Sequence, residues 1–181
     1  MCNKYYKRTI ALFMCSIWLA TFTGAVPAEE FVSLDMFHIK RNKNSNLVQY
    51  SVYVNKQSCQ PKKSEPAHVY WRNLEVSPTD VSDLMPWEWP AYDIDSQAIK
   101  GDELHIRLEA LPERLITIDF VKEENGCKAT PRLSINKEKG VLEEVYVFAK
   151  ERKFWLPKVK WIEIRGSNPQ GIPVKERINV D

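Results

Sequence analysis

The sequence predicts an all-β domain, a single antiparallel β-barrel or β-sandwich with one short helical insertion near residues 78–85. Three observations predict it. Apolar residues recur with period two along most of the chain after residue 28. Turn-forming residues separate these runs at short intervals. One Pro-bounded stretch breaks the pattern. Side chains of a strand point alternately to opposite faces, so period two marks half-buried strands. Short strands joined by short turns mark an antiparallel sandwich or barrel.

The elements follow in order. A first short strand is expected at Met36–Lys40, with "KNSN" as the turn after it. "LVQYSVYV" sets Val48, Tyr50, Val52 and Val54 on one face, with Gln49, Ser51 and Tyr53 on the other. "KQSCQPKKSEP" is a polar loop, and "HVYWRN" returns as a strand with His68, Tyr70 and Arg72 on one face. "SPTDVSDLMPWEWP" is the exception: Ser77 caps a short helix starting at Pro78, and Pro86 ends it. "ELHIRLEA" aligns Leu104, Ile106, Leu108 and Ala110, and "LITIDFV" aligns Ile116, Ile118 and Phe120. "EEVYVFAK" sets Val145, Val147 and Ala149 opposite Tyr146 and Phe148, and "VKWIEIR" sets Ile162 and Ile164 opposite Trp161 and Glu163. Turns are expected at Gly101, Gly126 and Gly140.

Residues 1–28 read as a secretory signal peptide: a basic start with Lys4, Lys7 and Arg8, an apolar run, then Val26 and Ala28 before a cleavage point. The rival is a retained anchor, since the run is close to bilayer-spanning length. A lipid anchor on Cys15 is disfavoured by the bulky Met14 before it. The expectation is therefore an exported protein, periplasmic or extracellular, with one all-β domain over residues 29–181. It touches membrane only through an uncleaved leader.

The chain has 26 basic and 24 acidic side chains, and the leader takes three bases and no acid, which leaves net −1. A near-neutral domain is not built for nonspecific phosphate binding, which argues against nucleic acid. Cys59 and Cys127 are the two cysteines after the leader, and in an exported chain they allow one bridge. Free thiols are the alternative.

Catalytic signatures are scarce. His38, His68 and His105 lie on separate strands with no HxH or HExxH, so no metal site is expected. There is no GxSxG elbow and no Gly-rich phosphate loop, and no cofactor is expected. The carboxylate pairs Glu123–Glu124 and Glu143–Glu144 carry no acid/base signature. Trp87 and Trp89, in a Pro-bounded loop, either cap the open end of the barrel or meet a partner. A mixed basic and aromatic surface is drawn from Lys40, Arg41, Asn42 and Lys43, from His68, Tyr70 and Arg72, and from Lys153, Trp155 and Lys158.

Three stretches together resemble a known family: "MFHIKRNKNSNLVQYSVYVN", "PAHVYWRNLE" and "KFWLPKVKWIEIRG". The residues that carry the likeness are Phe37, Ile39, Arg41, Asn44, Asn46, Val48 and Tyr50, then His68 to Trp71, then Phe154, Trp155, Pro157 and Val159. Their order is similar to that of the uncharacterised family known as domain of unknown function 4833. The resemblance runs from about Phe37 to Ile178 and is least clear at "SPTDVSDLMPWEWP". It implies a compact domain, often exported. It implies no activity and so supplies no catalytic residue.

The leading functional expectation is a periplasmic or extracellular binding module for a small ligand, an envelope component or a protein. Its groove is expected between the Arg41–Asn46 turn, the His68–Arg72 strand and the Phe154–Trp155 strand. The expected contacts are Arg41, Asn44, His68, Tyr70, Arg72 and Trp155, with loss of binding in Arg72→Ala and Trp155→Ala. One alternative is an envelope hydrolase with His68 as general base, tuned toward neutral pH by its neighbours. Another is a structural subunit of an envelope assembly, docking through the Trp87–Trp89 loop.

Overall fold

The structure, a computed structural model, describes residues 29–42, 44–152 and 155–180, with side chains for all of these except 151–152 and 155–157. The expected leader, residues 1–28, lies outside the described residues. The elements are β1 (Phe31–Arg41), β2 (Asn44–Asn55), β3 (Ala67–Arg72), β4 (Val81–Asp83), α1 (Trp89–Tyr92), β5 (Ile94–Lys100), β6 (Glu103–Leu108), β7 (Leu111–Glu123), β8 (Gly126–Ile135), β9 (Glu138–Arg152), β10 (Trp155–Ser167) and β11 (Pro173–Asn179).

All eleven strands among the described residues belong to one sheet that does not close. Its path is β4-β3-β2-β1-β9-β8-β7-β6-β5, with β10 and then β11 on the other edge of β9. The pivot is β9. Glu138–Val141 pair with Ile135–Arg132 of β8, and farther along Glu144–Val147 pair with His38–Arg41 of β1. One long strand thus carries two wings, β4 to β1 and β8 to β5. Their inner faces share a single core, a sandwich-like arrangement.

The expected alternation is seen directly. Val48, Tyr50, Val52 and Val54 of β2 are fully buried, as are Leu104, Ile106 and Leu108 of β6 and Ile116 and Ile118 of β7. Each such side chain removed from water contributes roughly 1.5–3 kcal/mol, so this stripe dominates the packing. The second face of β2 is also covered, since Gln49 and Ser51 are buried. A bulge at Met36, between the Asp35 and Phe37 pairings, keeps both Leu34 and Phe37 opposite core positions of β2.

Four expectations need correction. The sheet is mixed, because β1 and β9 run parallel. The first strand begins at Phe31, not Met36. No helix occupies residues 78–85: Ser77 Oγ accepts from Thr79 N within a turn, Asn73 N donates to Asp80 O, and Val81–Asp83 then pair with β3. Among the described residues the single helix is α1, where Pro90 sits in the first turn rather than Pro78. The turn before β9 lies at Asn136 and Lys137, both at positive φ, so Gly140 is inside the strand. Buried Gly140 and Gly166 mark where β9 and β10 crowd: a Cβ at Gly166 would overlap the Val141 carbonyl.

Two further contacts fix the wings. Cys59, in the β2–β3 loop, is bridged to Cys127 at the start of β8. Asn42 continues the β1–β9 ladder after the strand ends: its Nδ2 donates to Ala149 O and its Oδ1 accepts from Ala149 N. The side-chain amide stands in for one more peptide unit of β1.

Candidate functional site

The outer face of β1–β2–β3 carries a polar cluster set by register. Ser51 lies opposite Asp35 on one side and His68 on the other, and Gln49 lies opposite His38 and Tyr70. The Ser51 hydroxyl donates to Asp35 Oδ1 at 2.9 Å, and the Tyr70 hydroxyl donates to the same oxygen at 3.2 Å. Arg72 Nη1 reaches Asp35 Oδ2 at 3.3 Å and Gln49 Oε1 at 3.4 Å. Gln49 in turn donates to the carbonyls of Phe37 and Tyr50. Arg72, with 36% of its side chain exposed, is therefore committed to neighbours within the sheet. An exposed pair of this kind contributes about 0–1 kcal/mol.

His68 continues this face as the middle of an aromatic stack. Its ring lies 4.4 Å from Tyr53 with planes 8° apart, and 5.3 Å from Tyr70 with planes 20° apart. Its Nδ1 is buried without a hydrogen-bond partner. Burial pushes its pKa below the ordinary 6.5, and the negative charges of Asp35 and Asp83 oppose that only in part. Among the described residues His68 makes no hydrogen bond to a carboxylate or a hydroxyl nucleophile.

Beside the stack lies an open cleft of about 330 Å³, lined by Tyr53, Lys62, Glu65, His68, Asp93 and Gln97 with the β3 residues Ala67 and Val69. It occupies the seam where β3 and β5, from opposite wings, approach without pairing. Gln97 bridges the seam: its Oε1 accepts from Ala67 N at 3.0 Å. Lys62 Nζ sits 5.7 Å from the centre of the Tyr53 ring. The cleft thus joins one ammonium, two carboxylates, an imidazole, a carboxamide and a phenol ring. Such a set offers donors and acceptors of both charges to a small polar molecule.

Of the six expected contact residues, the five whose side chains are described do not all meet at one site. His68, Tyr70 and Arg72 share the outer face of β3, and of these His68 alone lines the cleft. Arg41 is on the opposite side of the sheet, its guanidinium 4.9 Å from the Trp71 ring and 5.8 Å from Tyr92. Asn44 is used in its own turn, where Oδ1 accepts from Asn46 N. The side chains of Phe154 and Trp155 lie outside the described residues. Trp87 and Trp89 do not cap the sandwich; both are exposed. The cap is Tyr92 of α1, set edge-on against Trp71, with its carbonyl accepting from the Tyr50 hydroxyl at 2.5 Å. Glu88 locks this end by accepting from Trp71 Nε1 and Met85 N. Burial raises the Tyr50 pKa strongly, so its hydroxyl remains a donor.

A second outer-face network crosses β1, β9, β10 and β11. His38 Nε2 lies 3.1 Å from Glu144, and Arg165 joins Glu144 to Glu163. Arg177 donates to the other oxygen of Glu163 at 3.0 Å and covers the Trp161 ring at 4.1 Å. Hydrogen bonds from Arg165, then Arg177, hold the Glu163 carboxyl below its ordinary range. Every charge here is matched within the sheet, so the network reads as scaffolding. Among the described residues no three His, Cys, Asp or Glu side chains converge for a metal, and no helix is long and apolar enough to cross a membrane.

The cleft residues Tyr53, Lys62, Glu65, Asp93 and Gln97 are absent from the sequence-derived groove. Tyr53 was accessible by register, since it shares a face with Ser51. The other residues meet only because the wings close. A family model described as "Domain of unknown function (DUF4833)" matches residues 37–177. No curated protein and no solved structure matches the chain.

Proposed function

We propose, for a chain that belongs to the DUF4833 family, that the domain is an exported binding module whose small polar ligand occupies the seam between β3 and β5. The carrying observation is the cleft itself, whose lining brings Lys62, Glu65 and Asp93 together with Tyr53 and His68. At about 330 Å³ it suits a ligand of amino-acid, dipeptide or amino-sugar size. Such a ligand presents an anionic or acceptor end to Lys62 and a cationic or donor end to the carboxylates. Its ring or aliphatic part lies against Tyr53. Export is supported by the Cys59–Cys127 bridge, which persists in an oxidising compartment.

A binding role fits His68 better than general-base catalysis. A base needs an orienting partner and a nucleophile within hydrogen-bond reach, and His68 has neither among the described residues. The test is mass spectrometry of small molecules extracted from protein purified from its own host. A compound retained by the native protein and lost in Tyr53→Ala and Lys62→Ala supports the reading. Equal retention by the native protein and both variants contradicts it.

A further inference from the structure

We infer that residues 74–89 dock, head to tail, onto the β11 edge of a second copy of this chain. Six large apolar side chains are exposed in this short span: Leu74, Val76, Val81, Met85, Trp87 and Trp89. Val76 is 75% exposed and Trp87 73%. Isolated exposed hydrophobics are ordinary, but a run of them beside a free strand edge marks an interaction surface. That edge is β4, which ends the sheet and pairs only with β3.

Charge selects the occupant. The arm, residues 74–89, contains Glu75, Asp80, Asp83 and Glu88 and no Lys or Arg, for a net charge of −4. The rest of residues 29–181 holds 23 bases against 20 acids, net +3. The surface that fits the arm is therefore cationic with exposed apolar groups. The same molecule has one at β11; of the remaining edges among the described residues, β5 lies in the acidic stretch beyond the arm and β4 belongs to the arm itself. β11 pairs only with β10. It carries exposed Lys175, is flanked by exposed Ile172 and Val180, and has exposed Lys160 next to Val180, whose N–H it receives at its carbonyl. Charges on a lone edge usually guard it against pairing. Here the two signs are segregated to two different edges, so like edges repel and unlike edges attract.

A contact between two different patches is heterologous and produces rings or chains rather than a twofold dimer. Burying the two tryptophans supplies apolar area, and the charges supply orientation and sensitivity to salt. This inference does not depend on the cleft.

The test is sedimentation velocity of the protein as its cells deliver it, at rising concentration and at low and high salt. Concentration-dependent association that weakens at high salt is expected. An arm variant, Trp87→Ser with Trp89→Ser, and an edge variant, Lys160→Glu with Lys175→Glu, should each lose it while keeping their thermal midpoints. Mixed together, they should form one heterodimer and nothing larger, because each retains one good patch. A native protein that stays monomeric at millimolar concentration would overturn the inference. So would variants that still associate, or a mixture that fails to pair.

Discussion

His68 and Tyr53 stack across β2 and β3 with ring centres 4.4 Å apart, and that stack forms one wall of the cleft. Because burial holds the His68 pKa below its ordinary 6.5, the unfolded chain binds the proton more readily than the folded one. Stability is then complete above 6.5 and falls as pH drops from there to the depressed folded pKa. Urea midpoints measured across this window should decrease with acidification in the native protein. In His68→Gln the slope over that window should flatten.

Asn42 and Ala149 provide a second test. The Asn42 amide makes two hydrogen bonds, at 3.2 and 3.0 Å, to the N–H and C=O of one residue of β9, Ala149. Asn42→Ala should cost about 1–2 kcal/mol in chemical unfolding, the sum of two modest bonds. Asn42→Asp retains the acceptor but replaces the donor with an oxygen facing the Ala149 carbonyl, and should be worse than Ala.

The Cys59–Cys127 bridge spans 68 residues and joins opposite wings. Chain entropy alone assigns such a loop about 4 kcal/mol, with roughly 2–4 kcal/mol the usual yield. Reduction should lower the urea midpoint accordingly and leave the far-ultraviolet spectrum recognisably β at low denaturant.

Gly166 and Gly101 separate crowding from backbone conformation. Gly101 is at φ +62 with open space around its missing Cβ, so Gly101→Ala should cost about 1–2 kcal/mol through backbone strain alone. At Gly166 the added carbon meets the Val141 backbone, which cannot move without parting β9 from β10. Gly166→Ala should therefore be the more destabilising of the two in thermal unfolding.

The strands were legible because burial and alternation are local. Val48, Tyr50, Val52 and Val54 announce an inner face wherever the strand sits. The parallel pairing of β1 with β9 was not, since His38 and Glu144 meet across 106 residues with no sequence signal. The misplaced helix has a local cause: Ser77-Pro78 looks like a cap and first turn, but Asn73 and Asp80 close that stretch as a hairpin loop. The charge of Arg41 suggests exposure, but its position does not. It shares the inward parity of Ile39, and the faces of Trp71 and Tyr92 accept its guanidinium. The cleft was least legible of all. Lys62 and Glu65 come from a loop, and Asp93 and Gln97 from the other wing.

Arg72 now carries a different expectation from the one its sequence suggests. Its guanidinium is held by Asp35 and Gln49 and does not line the cleft. Ligand binding should weaken less in Arg72→Ala than in Lys62→Ala, as read by calorimetry with the compound recovered from the native protein.

The central claim is that the β3–β5 seam is the binding site. Its most direct test is a nuclear magnetic resonance titration of the isotope-labelled protein with free amino acids, dipeptides and amino sugars, following the side chains of Tyr53, Lys62, His68 and Gln97. Saturable shifts in these residues for at least one compound, absent in Tyr53→Ala, are predicted. Saturable shifts confined to another surface, or none from any compound, would contradict it.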